Sequence, residues 1–187
     1  MGWPLTKIRR WMYEHKIQQL HRHHREENAA GYINIDAILA RFRSGGGLKH
    51  DFQPYKLFHL SQFLERDRPL SMLELGSGSS TAVFAAHIRE YGGRLYSVDE
   101  SDSWLANAMN LAGIEADDKR FEMRHYLAKL GTFKNLPCVG YGLKAQEEFD
   151  LVFVDGPSLQ FDGVKRKDAI NDDVSALPMP ARHARSW

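Results

Sequence analysis

Leu73-Glu74-Leu75-Gly76-Ser77-Gly78-Ser79-Ser80-Thr81 decides how this chain is read. An apolar run at residues 72–75 meets a turn of small residues, and a helical pattern follows at 81–91. That order predicts strand, tight loop, helix. Gly76 and Gly78 allow a sharp turn and a close approach of ligand to backbone. Free N–H groups at the start of the helix face the same place and carry partial positive charge. The geometry is that of a nucleotide-type site at the mouth of a parallel sheet.

The spacing also bears on which nucleotide. A dinucleotide fingerprint has a third glycine where this chain has Thr81. Glu74 places a carboxylate inside the strand, where it would repel a pyrophosphate and suit a ligand with a cationic amino-acid end. The E-x-G-x-G pattern resembles motif I of class I S-adenosylmethionine-dependent methyltransferases. The resemblance implies that Gly76 and Gly78 pass beside the cofactor and that Glu74 orders the loop and its methionine end, with Ser77 and Thr81 also on that side. The alternative for this stretch is a glycine turn that merely joins strand to helix.

Two further constellations extend the pattern. Residues 94–98 read as a second strand ending in Asp99-Glu100. A carboxylate about twenty residues past a glycine loop, at the tip of the next strand, can accept both hydroxyls of a ribose. Asp99 fits that position better than Glu100, and both acids can equally cap the next helix, with Ser101 and Asp102 as competing caps. Trp104, near the start of that helix, reads equally as an adenine platform or as core.

The third constellation is Phe149-Asp150-Leu151-Val152-Phe153-Val154-Asp155-Gly156-Pro157, a strand buried on both faces and ending in an acid and a turn. It resembles the fourth strand of the same methyltransferase class, in a subgroup with V-D-G-P and a basic residue shortly beyond. Arg166, between Lys165 and Lys167, is the candidate for that residue. Asp155 is the candidate catalytic or substrate-contacting group. In related metal-dependent members an acid here is a metal ligand, with others from a following strand. No such strand is read here, so no metal site is assigned. The other reading of Asp155 is that it only shapes the turn.

Elsewhere the chain departs from that family. A third strand is expected at residues 120–125, but it is not followed by the acid that members direct at the adenine amine. Residues 128–146 read as irregular, with Pro137, Gly140 and Gly142 as breakers, and Tyr141 has no assigned place. A short helix is expected at 168–174. A full core of the class carries later strands that the sequence after residue 154 does not show. A core shortened at its C-terminus, its sheet edge open or covered by other segments, is therefore expected. The resemblance covers residues 54–170.

The first 47 residues lie outside it and read as a helical extension, with the main domain at 48–187. Residues 3–28 form a polar, moderately basic helix. A docking role toward another subunit or a membrane surface is possible for it, and packing on its own domain is the simpler reading. His21, His23 and His24 interleave with Arg22 and Arg25 near its end. Two arginines disfavour a cation there, so a solvated, partly titrating helix face is expected. Ala29-Ala30-Gly31 reads as a break, followed by a second helix capped by Asn34 or Asp36. Residues 44–47 read as a flexible joint. A third helix starts at Pro54 and runs to about residue 66, with Leu57, Leu60 and Leu64 on one face.

Composition sets outer bounds. The formal net charge of +1 gives no global pull toward nucleic acid or acidic membranes. The lone Cys138 excludes an internal disulfide framework and fits a reducing compartment, so a cytoplasmic location is expected. No apolar run approaches the roughly 20 residues of a membrane span.

The expected fold is α/β, a Rossmann-like doubly wound domain with a mainly parallel sheet. The expected cofactor is S-adenosylmethionine, and the expected activity is methyl transfer to an unidentified, small-molecule acceptor. The rival readings are a non-catalytic, methyltransferase-like binding module and an NAD(P)-dependent oxidoreductase. A homo-oligomer is compatible with an open sheet edge.

Overall fold

The polar pattern at the start of the chain folds as α1 (Trp3–Glu27), and α2 (Ala29–Ser44) follows after the single residue Asn28. The computed structural model describes residues 3–45, 53–64, 67–133, 136–143, 148–156, 160–161, 164–165 and 170–171. Contacts divide the chain into two units, Met1–Phe63 and Leu64–Trp187. Gly46 and Gly47 of the glycine joint, and Arg166, fall outside the described residues.

The second helix begins earlier than expected. Asn28 donates to the His24 carbonyl from both its backbone N (3.1 Å) and its Nδ2 (2.8 Å), so the turn between the helices is closed locally. Gly31 breaks nothing. It lies inside α2, where a Cβ would come within 2.6 Å of Cε2 of Phe58. Phe58 belongs to α3 (Gln53–Leu64), which has Pro54 in its first turn. Tyr32, Ile35, Ile38, Leu39 and Phe42 form the buried stripe of α2.

In the second unit, β1 (Leu70–Leu75), α4 (Ser79–Tyr91), β2 (Gly93–Asp99), α5 (Asp102–Ala112) and β3 (Phe121–His125) succeed one another. The Ser101 hydroxyl caps α5 by accepting from Trp104 N, and Gly113, left-handed at φ +66°, ends it. The expected irregular stretch holds instead an antiparallel hairpin, β4 (Lys129–Phe133) and β5 (Leu136–Gly140). Pro137 and Gly140, breakers by local preference, lie within β5. That strand tolerates them because pairing, not propensity, fixes it. Next come β6 (Leu151–Val154), the antiparallel pair β7 (Gln160–Phe161) and β8 (Val164–Lys165), and β9 (Ile170–Asn171). Thus residues 170–171, expected in a helix, are a strand running parallel to β5 at Cys138 and Val139.

The central sheet has the order β3-β2-β1-β6, and all three of its pairings are parallel. This is a Rossmann-like α/β fold. Strand alternation separates its faces. Met72, Glu74, Leu95, Ser97 and Phe153 lie on the side of α4, where Phe84 meets Phe153 edge-on at 5.6 Å. The opposite side carries Leu73, Leu75, Val98 and Val152, packed with Tyr141 and Leu143 from the segment after the hairpin. Each such large apolar side chain contributes roughly 1.5–3 kcal/mol. Tyr141, unplaced from sequence, is 1% exposed and thus a core residue.

Asp150 fixes the register of β6. One of its oxygens accepts from Arg68 Nη1 (3.1 Å) and the other from Ser71 N (2.9 Å), while its own N donates to the Ser71 carbonyl. At the other end of the strand, Asp155 N donates to the Leu75 carbonyl at 2.8 Å. No helix among the described residues is long and apolar enough to cross a membrane.

Candidate functional site

Glu74 points to the α4 side of the sheet and is fully buried. Three hydroxyls converge on its carboxylate. Ser80 Oγ donates to Oε1 (2.6 Å), and Thr81 Oγ1 (2.8 Å) and Ser97 Oγ (2.6 Å) donate to Oε2. Ser80 and Thr81 stand in the first turn of α4, and Ser97 is the register partner of Glu74 on β2. One side chain therefore ties together β1, β2 and the start of α4. Burial pushes its pKa up to about 7; the hydroxyls oppose that shift and the charge of Asp155 adds to it. Ser77 Oγ lies 2.9 Å from Ser97 Oγ. The single Ser97 proton is given to Glu74, so Ser77 is the donor of that pair.

The two loop glycines differ in kind. Gly76 has φ +97°, and a Cβ on it would meet Gly156 N at 2.7 Å and the carbonyl carbon of Asp155 at 2.9 Å. Gly156 is closed in as well, with Tyr141 Oη 2.7 Å from where its own Cβ would stand. The space beside Gly76 is thus filled by the turn after β6. Gly78 is extended, and a Cβ there would have nothing within 4 Å. The opening in the loop lies at Gly78. Its N donates to Thr81 Oγ1 at 2.9 Å, and Thr81 N donates to the Gly78 carbonyl at 3.1 Å, which starts α4.

Asp99, at the tip of β2, braces the same loop. Oδ2 accepts from Ser77 N and Oδ1 from Ser101 N, both at 2.9 Å. Burial raises its pKa, against the pull of the backbone N–H groups of Ser101, Ser77 and Glu100. Three backbone donors leave one of the four lone-pair sites of this carboxylate for a further partner. Trp104 closes the loop from α5, its indole Nε1 donating to the Ser77 carbonyl at 2.7 Å. At the tip of β3, His125 Nε2 lies 3.0 Å from the Glu100 carbonyl, and Nδ1 lies 3.8 Å from Asp102 Oδ1.

Glu74, Ser77, Thr81 and Asp99 thus form one hydrogen-bonded network around Gly76 and Gly78, and Asp155 sits exposed at the adjacent strand tip. Sequence reasoning missed Ser80, Ser97 and Gly156. A serine in an otherwise apolar strand was the available signal for Ser97, but its partner is set by register. Trp104 belongs to the loop through its indole N–H. The solvated histidine face expected on α1 holds in part. His21 and His24 pack among aromatic rings, while His23 is exposed and pairs with Glu27 at 3.3 Å.

Neither a protein-family model nor a curated protein matches the chain. Among solved structures, the X-ray structure of YjhP from E. coli is similar, at 21% sequence identity and a TM-score of 0.39 over 55% of this chain. The chain spans about a third of that protein, 36% of its length, and a likeness of that extent carries no functional inference.

Proposed function

We propose that the Leu64–Trp187 unit binds S-adenosylmethionine and transfers its methyl group to an unidentified acceptor, with a small molecule as the default. The observation that carries this reading is the opening at Gly78, backed by two buried carboxylates. The partners of Glu74 among the described residues are hydroxyls rather than a cation. A ligand that brings positive charge to this loop offsets the cost of burying them. A pyrophosphate would add to that cost, which disfavours a nicotinamide dinucleotide.

In this reading Glu74, Gly76, Ser77, Gly78 and Thr81 shape the methionine side, Gly76 by locking the loop and Gly78 by leaving room. Asp99 takes a ribose hydroxyl on its remaining lone pair. Bound there, S-adenosylmethionine would supply a methyl carried on a positively charged sulfonium. The residues of the chain position the two reactants, the main source of rate in such a transfer. Asp155 faces the acceptor and can take its proton as the new bond forms.

Calorimetric titration of the folded full chain with S-adenosylhomocysteine, and separately with NADH, tests the reading. Binding of the first alone at micromolar level is expected. Asp99→Ala should weaken it roughly tenfold, the worth of a hydrogen bond to a charged acceptor. A folded chain that binds neither ligand, or prefers NADH, sinks the proposal.

A further inference from the structure

The Met1–Phe63 unit holds a second cluster of titratable side chains, unrelated to the cofactor reading. His24 of α1 is at its centre. Its Nδ1 lies 3.0 Å from the Tyr32 hydroxyl of α2. Its ring meets Tyr55 and Phe58 of α3 edge-on, each at 5.0 Å, and His59 at 5.1 Å. One turn earlier on α1, His21 stacks on Tyr55 at 4.2 Å with the planes 13° apart. His59 Nε2 is buried without a hydrogen-bond partner. Three imidazoles therefore fasten α1 to α3, and one of them has a buried nitrogen with nothing to accept its proton.

A proton added to His59 Nε2 would be an unmet donor in an apolar place. The groups acting electrostatically on the cluster are His21, His24 and Arg25 from α1, Tyr32 and Asp36 from α2, and Tyr55 and His59 from α3. Among these described groups the carboxylate is Asp36, which is already paired with Arg25. Protonation thus adds like charges with no free acid among these groups to compensate them.

We propose that this cluster is an acid-operated latch: with His21 and His59 neutral α1 is held against α3, and their protonation releases α1 and bares the aromatic face of α3. Burial lowers the pKa of His59 and His21, and the neighbouring histidines lower both further. The sign follows from linkage. A histidine whose folded pKa is lowered contributes its stability in full above the ordinary value of 6.5, and loses it as the pH falls below that value.

Hydrogen exchange by mass spectrometry on the full chain, at about pH 7.5 and about pH 5 and corrected for intrinsic rates, tests this. Peptides from α1 and α3 should lose protection by roughly tenfold at the lower pH, while those from β1 and β2 lose none. His59→Phe keeps a ring and removes the buried nitrogen; it should cut the pH-dependent loss to within about threefold. His21→Phe, which keeps a ring against Tyr55, should reduce the loss in the same direction and serves if the first variant is unfolded. Equal protection of α1 and α3 at both pH values overturns the proposal. So does an equal loss in β1 and β2, or an undiminished loss in the folded variants.

Discussion

Replacing Gly76 by Ala tests whether the glycine loop is locked by the turn after β6. The new Cβ would stand 2.7 Å from Gly156 N and 3.0 Å from Gly156 Cα, so the obstacle is backbone, which cannot rotate away. The backbone at φ +97° adds a conformational cost of roughly 1–3 kcal/mol. Overpacking adds roughly 1–3 kcal/mol more. The expected loss is about 4 kcal/mol, a large part of the 5–15 kcal/mol that holds a typical domain. With a urea m value of about 2 kcal/mol/M, the midpoint should fall by about 2 M. Urea-dependent hydrogen exchange of the β1 and β2 amides is the suitable assay, because it reports this unit separately from the helices.

Gly78→Ser is the matched control. Its side chain enters open space, and serine is a favoured residue where α4 begins, so stability should stay within about 0.5 kcal/mol. If the first variant unfolds within about 1 kcal/mol of wild type, the packing of Asp155–Gly156 on Gly76 is wrong. If the second costs as much as the first, the opening at Gly78 is wrong. Gly78→Ser should also weaken S-adenosylhomocysteine binding while leaving the fold in place.

Two further outcomes follow from the buried polar groups. Glu74 has its pKa raised to about 7 from 4.5, so its contribution is fully present below 4.5 and is lost as the pH rises toward 7. That loss amounts to about 3 kcal/mol, and Glu74→Gln should remove it, which comparing denaturant midpoints at about pH 5 and about pH 7.5 will reveal. A midpoint difference as large in the variant as in wild type would mean that the carboxylate is not the group titrating. Trp104→Phe deletes the indole N–H that satisfies the Ser77 carbonyl and should cost roughly 0.5–1.5 kcal/mol, read as a lower thermal midpoint.

The strand–loop–helix around Gly76 and Gly78, the acid-tipped strand at Asp99 and the buried strand 151–154 were legible in sequence because their signals are local: an apolar run, a turn, a period. What escaped were pairings between distant residues. Ser97 gains its meaning from standing opposite Glu74 in the parallel register, and Gly156 gains its own from Gly76, a partner eighty residues away. The hairpin of β4 and β5 was hidden by Pro137 and Gly140, whose local preference was overridden by the ladder. His21 and His24 read as solvated because α1 is polar, and the aromatic rings of α3 cover them in part.

The clasp of Asp150 on Arg68 and Ser71 has a consequence for loop length. It closes a chain excursion of 79 residues between β1 and β6, whereas β1 and β2 are joined across 23. Loop-closure entropy grows only with the logarithm of length, so the longer closure costs about 1 kcal/mol more than the shorter, and doubling it would add roughly 0.6 kcal/mol. With the register of β6 fixed at both ends, a change in the length of chain between β3 and β6 carries little entropic cost of its own, and Asp155 stays at the tip of its strand. Packing is what limits such a change, because Tyr141 and Leu143 of that segment belong to the core against the sheet.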